Sequence, residues 1–251
     1  MCLILFAYRV HPDYPLVMAA NRDEFYDRPT APVHRWTDFP QVLAGRDLLK
    51  DGTWMGVASG GRYAALTNYR DPGERTDGMR SRGQLVSDYL TGCDSPGDYA
   101  ERASRERTHF PGYNLLIGDL RELYYYSNVS HTIRELEPGV YGVSNHLLDT
   151  DWPKVERGKR ALREQLSHVR EDRVEGLFAL LEDTEPAPDD RLPATGVALE
   201  WERLLSPIYI RSERYGTRSS TVLLLGERQL HYVERTRTVA GVQDRKYTLS
   251  Y

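Results

Sequence analysis

The sequence predicts an α+β fold built mainly from antiparallel sheets. Many short, β-favouring segments alternate with turn residues, and the helical segments are grouped between them rather than following each strand singly. No G-x-G-x-x-G sequence follows the first strand candidate, which argues against a doubly wound nucleotide-binding fold. The 251 residues, 40% hydrophobic and 28% charged, suit one large domain or two small ones. The Pro/Asp-rich loop at 185–193 is the best linker candidate, but it is too short to separate independent domains.

Composition excludes several classes of partner. The net charge of −4 argues against nucleic-acid binding. Two cysteines are too few for a disulfide framework, and the seven scattered histidines show no metal-ligand spacing, so we predict no metal and no cofactor. The apolar run 2–8 is too short for a signal peptide, and no stretch reaches the roughly 18 apolar residues of a membrane span. A reduced, cytoplasmic protein is expected.

The first half of the chain shows two hairpins and two helices. Apolar runs 2–9 and 16–20 predict a buried hairpin. Residues 25–50, with three prolines, read as an irregular segment that borders a site. Segments 54–59 and 63–68 predict a second hairpin across Gly60-Gly61. Two helices should follow, one with its apolar face over 85–90 and one from Asp94 to about Arg107.

The second half repeats this mixture of strands and helices. Strands are predicted at 113–118 and 123–127, as a pair, and at 140–145. Helices are predicted over 152–168, where Trp152-Pro153 marks the start, and over 173–183. Closing strands are predicted at 208–210, 215–220, 221–225, 230–235 and 246–250.

Cys2 is the strongest candidate nucleophile. Removal of Met1 would leave Cys2 with a thiol and a free α-amine on one residue. A deprotonated thiol is a good nucleophile, and an α-amine with a pKa of roughly 7.7–8.0 can act as its base near neutrality. The alternative reading is a small apolar residue that opens a buried strand.

Polar residues at strand ends supply further candidates. Residues 21–24, Asn-Arg-Asp-Glu, directly follow the second apolar run, either as a solvated strand end or as a site edge that places a cation beside the thiol. Asn68 and Asn145 end two other strands, where an amide can point into a cleft or simply form a turn.

Six segments together resemble the NRDE family, and the likeness covers nearly the whole chain. The segments are Met1-Cys2, Ala19-Ala20-Asn21-Arg22-Asp23-Glu24-Phe25-Tyr26, Gly52-Thr53-Trp54-Met55-Gly56-Val57, Ala65-Leu66-Thr67-Asn68-Tyr69-Arg70, Tyr141-Gly142-Val143-Ser144-Asn145 and Tyr215-Gly216-Thr217-Arg218-Ser219-Ser220. The family is similar to the N-terminal-nucleophile hydrolases. The resemblance therefore implies a single domain over 1–251 and a four-layer αββα sandwich of two antiparallel sheets.

The functional pattern within that superfamily resembles bile-salt hydrolases and penicillin V acylases. It implies that Cys2 is the nucleophile, that Arg22 lowers the thiol pKa, and that Asp23 orients the amine. Asn68 and Asn145 would stabilise the oxyanion, and Arg218, on a late strand, would lie at the back of the site. Here Arg22 and Asp23 are adjacent, whereas two residues separate them in the acylases. Strand neighbours point to opposite faces, so Asn21 is an alternative to Asp23. Asn21 and Tyr69 are the predicted substrate contacts.

Two functions follow from this resemblance. The first is a cysteine N-terminal-nucleophile amidohydrolase that cleaves a small-molecule amide C–N bond through a thioester. The alternative is a non-catalytic trafficking protein that binds haem, a lipid or an acyl-coenzyme A, with Arg22 and Arg218 meeting an anionic group. A third reading assigns these residues to hydrogen-bonded strand ends only.

Overall fold

The computed structural model describes residues 2–238 and 241–251. The chain divides into two compact units. The first comprises Met1–Asp27, Pro138–Ser144 and Leu148–Ser250, and the second comprises Arg28–Glu137, Asn145–Leu147 and Tyr251. Met1, on whose removal the predicted nucleophile depends, lies outside the described residues.

The first unit contains a six-stranded antiparallel sheet in the order β10-β1-β2-β11-β12-β13. Its strands are β1 (Cys2–Tyr8), β2 (Leu16–Phe25), β10 (Gly139–Val143), β11 (Tyr215–Leu225), β12 (Gln229–Thr238) and β13 (Gly241–Ser250). The predicted hairpin of β1 and β2 is confirmed, and β2 continues five residues beyond its predicted end at Ala20. This extension keeps the whole polar segment 21–24 inside a strand.

One face of this sheet is covered by helices. The first unit holds α3 (Pro153–Leu166), α4 (Glu175–Leu181) and α5 (Leu199–Leu205). Alternate residues of β1, namely Leu3, Leu5 and Ala7, pack with apolar residues of α3 and α4 in one buried cluster. Strand alternation then directs Cys2 and Ile4 to the opposite face.

The second unit contains a seven-stranded antiparallel sheet in the order β3-β4-β5-β6-β7-β8-β9. Its strands are β3 (Thr30–Arg35), β4 (Val42–Asp47), β5 (Met55–Ala58), β6 (Arg62–Asn68), β7 (Tyr113–Gly118), β8 (Leu123–Ser127) and β9 (Thr132–Glu135). The helices α1 (Gly83–Thr91) and α2 (Pro96–Arg105) pack on it through a cluster that includes Leu85, Tyr89 and Tyr99. The predicted α+β class with two antiparallel sheets is confirmed.

The prediction that 25–50 is irregular was wrong. The segment forms β3 and β4, which pair with each other across a register shift between Ala31 and His34. Pro32 falls within that irregularity, and β3 is the edge strand of its sheet. Because an edge strand or bulge tolerates a residue without a backbone N–H, this proline does not prevent strand formation.

The strand predicted at 208–210 was also wrong, although its residues are buried. The backbone groups there form isolated hydrogen bonds rather than a continuous ladder: Tyr209 N donates to Asp183 O, Ile210 N donates to the Thr217 hydroxyl, and Ile210 O accepts from Thr217 N. An apolar run therefore indicated burial rather than a strand. The short elements β9 and α5 were not predicted.

Membrane helices and metal-binding clusters are both missing from the described part of the chain. Within 2–238 and 241–251, no helix is long and apolar enough to cross a membrane. Over the same residues, no group of three or more His, Cys, Asp or Glu side chains is placed to hold a metal ion.

Candidate functional site

The first group of predicted site residues meets where β1, β2 and β11 run side by side. Cys2 lies opposite Arg22 on β2, and Arg22 lies opposite Ser219 on β11. Directly opposed residues of antiparallel strands point to the same face. The thiol and the guanidinium therefore share the sheet face that α3 and α4 do not cover.

Cys2 is buried, with 8% of its surface exposed. Ser144, directly after β10, donates its hydroxyl to the Cys2 carbonyl at 3.0 Å and so holds the start of β1. Burial raises the pKa of the Cys2 thiol, and the Asp23 carboxylate acts in the same direction. The Arg22 guanidinium and a backbone hydrogen bond from Asp23 oppose this increase in the pKa. The thiol therefore needs its cationic neighbours to ionise near neutrality.

Arg22 is the cation that lies on the same sheet face as the Cys2 thiol. Its Nη2 lies 3.9 Å from Glu24 Oε2. Its Nη1 is buried and has no hydrogen-bond partner among the described residues. A buried guanidinium N–H of this kind is available to an anion, whether a thiolate, a carboxylate or a developing oxyanion.

Arg218 joins this group through a β-bulge. Thr217 pairs with Asp23 and Ser219 pairs with Arg22, so Arg218 is the extra residue between them. Its Nη1 donates to Phe25 O at 2.7 Å. Burial and, next, the charge of Arg22 lower the pKa of Arg218. Two arginine side chains are thus brought close enough to repel each other.

Asp23 points to the other face of β2, as its position next to Arg22 requires. The side chain is 1% exposed, and its Oδ1 accepts a hydrogen bond from the Thr217 hydroxyl at 2.7 Å. Burial raises the pKa of Asp23, and the Lys154 ammonium is the strongest of the interactions that oppose it. The Asp23 carboxylate thus lies on the opposite face of β2 from Arg22. The backbone of Asp23 forms a hydrogen bond with the Cys2 thiol.

The structure does not bring the Asn21 side chain to Cys2. Its Nδ2 donates to Leu181 O at 2.8 Å and to Ile208 O at 2.9 Å, and its Oδ1 accepts from the Ser220 hydroxyl at 2.7 Å. Asn21 lies opposite Leu3, whose side chain packs with the helices. These contacts tie β2 to the helix layer and do not fit the alternative in which Asn21 replaces Asp23.

The second unit brings together Asn68, Tyr69 and Asn145. Asn145 Nδ2 donates to Asn68 O at 3.0 Å, and Arg70 N donates to Asn145 O at 2.8 Å. Asn68 is the last residue of β6 and is partly exposed, whereas Asn145 is fully buried. The Tyr69 ring lies 5.0 Å from the His146 ring, centroid to centroid. The Asn145 carboxamide therefore lies against the backbone of Asn68 within this unit.

Three residues that support the first group were not predicted as site residues. Ser144 holds Cys2, Thr217 bonds Asp23, and Lys154 supplies charge to Asp23. Ser144 and Thr217 stand next to predicted residues in the family motifs, which is the one signal that could have indicated them. Lys154 lies at a helix start far along the chain and carries no such signal.

Comparison with known proteins places this chain in a sequence family. The model of the family described as Transport and Golgi organisation 2 matches residues 1–239. The Bos taurus homologue of Transport and Golgi organization protein 2 is 35% identical over 247 residues, covering 90% of this chain and 88% of the homologue. The Homo sapiens homologue is 33% identical over 245 residues, with the same coverage. The Drosophila melanogaster protein is 30% identical over 265 residues, covering 95% and 93%.

Solved structures show the same fold at low sequence identity. A Caenorhabditis elegans orthologue of N-acylethanolamine-hydrolyzing acid amidase matches with a TM-score of 0.53 and 13% identity, covering 89% of this chain and 92% of that one. A mutant of the conjugated bile acid hydrolase from Clostridium perfringens matches with a TM-score of 0.53 and 9% identity, covering 100% and 97%. This likeness confirms the predicted N-terminal-nucleophile hydrolase fold, while the family model and the relatives show that the chain belongs to the Transport and Golgi organisation 2 family.

Proposed function

We propose that the chain is a cysteine N-terminal-nucleophile amidohydrolase that cleaves a small-molecule amide C–N bond through a thioester. The observation that supports it most is the pairing of Cys2 with Arg22 across β1 and β2. This register puts a thiol and a buried guanidinium on one sheet face. Because one fold serves many functions, these side chains support the proposed reaction more strongly than the likeness to amide-cleaving enzymes does.

The proposed reaction begins after Met1 is removed. The free α-amine of Cys2 takes the thiol proton, and the thiolate sulfur attacks the amide carbonyl carbon. The resulting ammonium gives its proton to the amide nitrogen as the C–N bond breaks, which releases an amine and leaves an acyl thioester on Cys2. The α-amine then deprotonates a water molecule that attacks the thioester carbonyl, and the carboxylic acid departs as the thiol re-forms.

The residues around Cys2 have separate tasks in this scheme. Arg22 stabilises the thiolate against the cost of burial, and Arg218 adds positive charge from the bulge. Asp23 accepts a hydrogen bond from the amine and orients it. The oxyanion that forms in each half-reaction needs N–H donors, and Asn68 and Asn145 remain the predicted donors.

The test uses protein whose intact mass shows that Met1 has been removed. Hydrolysis of a panel of N-acyl amino acids and N-acylethanolamines is followed by release of the amine. We expect turnover by the wild type and by Cys93→Ala, in which the exposed thiol is removed, and none by Cys2→Ala. Absence of turnover on the whole panel, together with equal alkylation of Cys2 and Cys93, would contradict the proposal.

A second candidate function is binding without catalysis, with haem, a lipid or an acyl-coenzyme A as the ligand. The arrangement of Arg22 and Arg218 favours it, because an anion would stabilise two like charges, one buried and one partly buried, on neighbouring strands. Haem is titrated by its Soret band, and an acyl-coenzyme A by calorimetry, into the wild type and Arg218→Gln. Saturable binding that Arg218→Gln weakens, without amide turnover, would favour this function over the first.

A further inference from the structure

Buried polar side chains lie on the face of the seven-stranded sheet that α1 and α2 do not cover. Leu66, Tyr113 and Leu115 belong to the apolar cluster that packs with those helices. Strand alternation therefore directs their neighbours Thr67 and Asn114 to the opposite face. Thr67 and Asn114 lie directly opposite each other on β6 and β7, with exposures of 0% and 1%. A carboxamide buried this deeply needs hydrogen-bond partners inside the protein.

Asn114 has such partners at both ends of its carboxamide. Its Nδ2 donates to the Thr67 hydroxyl at 3.0 Å and to the backbone carbonyl of His146 at 2.8 Å. Its Oδ1 accepts a hydrogen bond at 2.7 Å from the hydroxyl of Tyr125, which is 4% exposed. Thr67 and Tyr125 thus fix the direction of the Asn114 amide, and that amide in turn holds the carbonyl of His146.

The carbonyl that Asn114 holds belongs to the residue after Asn145, a predicted oxyanion donor. Two other hydrogen bonds attach Asn145 to the end of β6. Its own Nδ2 donates to Asn68 O at 3.0 Å, and Arg70 N donates to its backbone carbonyl at 2.8 Å. The bond from Asn114 to His146 O is a third attachment, one residue farther along the chain. Two successive backbone carbonyls are therefore held, which restricts the main chain that carries the Asn145 carboxamide.

We propose that Asn114 is a positioning residue, oriented by Thr67 and Tyr125, which fixes the Asn145 carboxamide by holding the carbonyl that follows it. The catalytic consequence rests on the proposed amidohydrolase function, whereas the attachment itself does not. An oxyanion donor acts through geometry that is fixed before the reaction, and a displacement of about 1 Å can cost roughly 10²-fold in rate. Loosening this attachment therefore slows the chemical step and leaves substrate binding unchanged.

The first kinetic test compares Thr67→Val with Thr67→Ser in the full chain after removal of Met1. Valine keeps the β-branched shape of threonine but has no acceptor for the Asn114 amide, whereas serine keeps the hydroxyl and loses a methyl group. We expect Thr67→Val to lower kcat by about tenfold or more, with KM within about twofold of the wild type. Thr67→Ser should retain the wild-type kcat. The reverse order, with serine slower than valine, follows from packing alone and would overturn the inference.

A double-mutant cycle connects Asn114 with Asn145. Asn114→Leu should lower kcat by roughly ten- to a hundredfold in the wild-type background and no further in the Asn145→Ala background, because the positioned group is then absent. Ser127→Ala is the matched control: Ser127 is fully buried opposite Asn114, and its hydroxyl donates to Tyr113 O. It should lower stability without lowering kcat. Additive losses of kcat in the cycle, or an equal loss in Ser127→Ala, would overturn the positioning role.

Hydrogen exchange tests the attachment without any substrate. Arg70 N–H donates to Asn145 O, so its exchange rate reports how firmly that carbonyl is held. In Asn114→Leu we expect this N–H, followed by NMR, to exchange about fivefold faster or more, while Leu66 N–H, which donates to Trp54 O, keeps its rate. An unchanged Arg70 rate would overturn the inference. If the wild type hydrolyses no amide of the panel, the proposed function fails, and the Arg70 rate alone decides whether Asn114 holds this segment.

Discussion

Cys2 and Arg22 lie directly opposite each other on neighbouring antiparallel strands. This single register pair places the thiol and the guanidinium on the same sheet face. The bulge in β11 adds a second arginine, Arg218. The same register sends Asn21 and Asp23 to the other face, where they bond the helix side of the unit. β2 thus carries Arg22 on the face of the thiol and buried, hydrogen-bonded polar groups on the face of the helices.

Arg22→Gln should slow alkylation of Cys2 at pH 7. Without the guanidinium the thiol pKa rises, so the thiolate fraction at pH 7 falls by about tenfold or more and the rate profile moves to higher pH. The measurement is the rate of iodoacetamide labelling of each cysteine by mass spectrometry between pH 6 and pH 10. Exposed Cys93 is the internal standard, and Arg163→Gln, on the exposed side of α3, is the control. An unchanged Cys2 profile in Arg22→Gln would contradict the role given to Arg22.

Asn68→Ala and Asn145→Ala should each lower kcat for amide hydrolysis by roughly 10² to 10³ if both carboxamides stabilise the oxyanion. Asn145→Ala should in addition lower the free energy of unfolding by about 1 kcal/mol or more, because its amide donates to Asn68 O. Steady-state kinetics and urea unfolding separate the two effects. A loss of stability without any loss of kcat would show that these residues only hold the end of β6.

Asn21→Leu should destabilise the fold by about 3 kcal/mol, because it removes three buried hydrogen bonds. Two buried carbonyl groups, those of Leu181 and Ile208, lose the amide that donates to them. Ser220→Ala, which removes one of the three, should cost about 1 kcal/mol. The free energy of unfolding is measured in urea. If instead Asn21→Leu leaves stability unchanged and raises only KM, Asn21 contacts substrate as the sequence suggested.

Gly216→Ala should destabilise the first unit by about 1–3 kcal/mol, because an added Cβ would lie 2.6 Å from the Ile210 carbonyl oxygen and against the Tyr26 hydroxyl. Backbone atoms cannot move aside cheaply, so the start of β11 and the bulge at Arg218 would shift. Gly73→Ala is the control, since its nearest neighbour, Asp71 Oδ1, is 3.4 Å away. The free energies of unfolding of both variants are compared with that of the wild type, and equal losses would contradict the expected clash.

Much of the site could be predicted because its signals are local. The β1–β2 hairpin follows from two apolar runs around a turn, and the hairpin alone places Cys2 near the 21–24 segment. Strand alternation, which has a period of two, predicts that Arg22 and Asp23 point to opposite faces, and the bond from Thr217 to Asp23 agrees with it. The family motifs then named the distant residues Asn68, Asn145 and Arg218.

The errors occurred where burial and hydrogen bonding are satisfied over long distances. Prolines suggested an irregular segment at 25–50, but an edge strand tolerates Pro32. The apolar run 208–210 suggested a strand, but Asp183 and Thr217 satisfy its backbone groups instead. A short sequence window around Tyr209 does not contain Asp183.

By itself the sequence determined the two antiparallel sheets, the family, and the hairpin that brings Cys2 close to Arg22, because periodicity, turns and motifs are properties of neighbouring residues. Only the tertiary structure decided that Asn21 ties β2 to the helices, that Arg218 is the extra residue of a bulge opposite β2, and that Lys154 is buried against the Leu205 carbonyl. These facts depend on which segments meet after the chain has packed. The energy of a buried charge or amide is set by those partners and not by its neighbours along the chain.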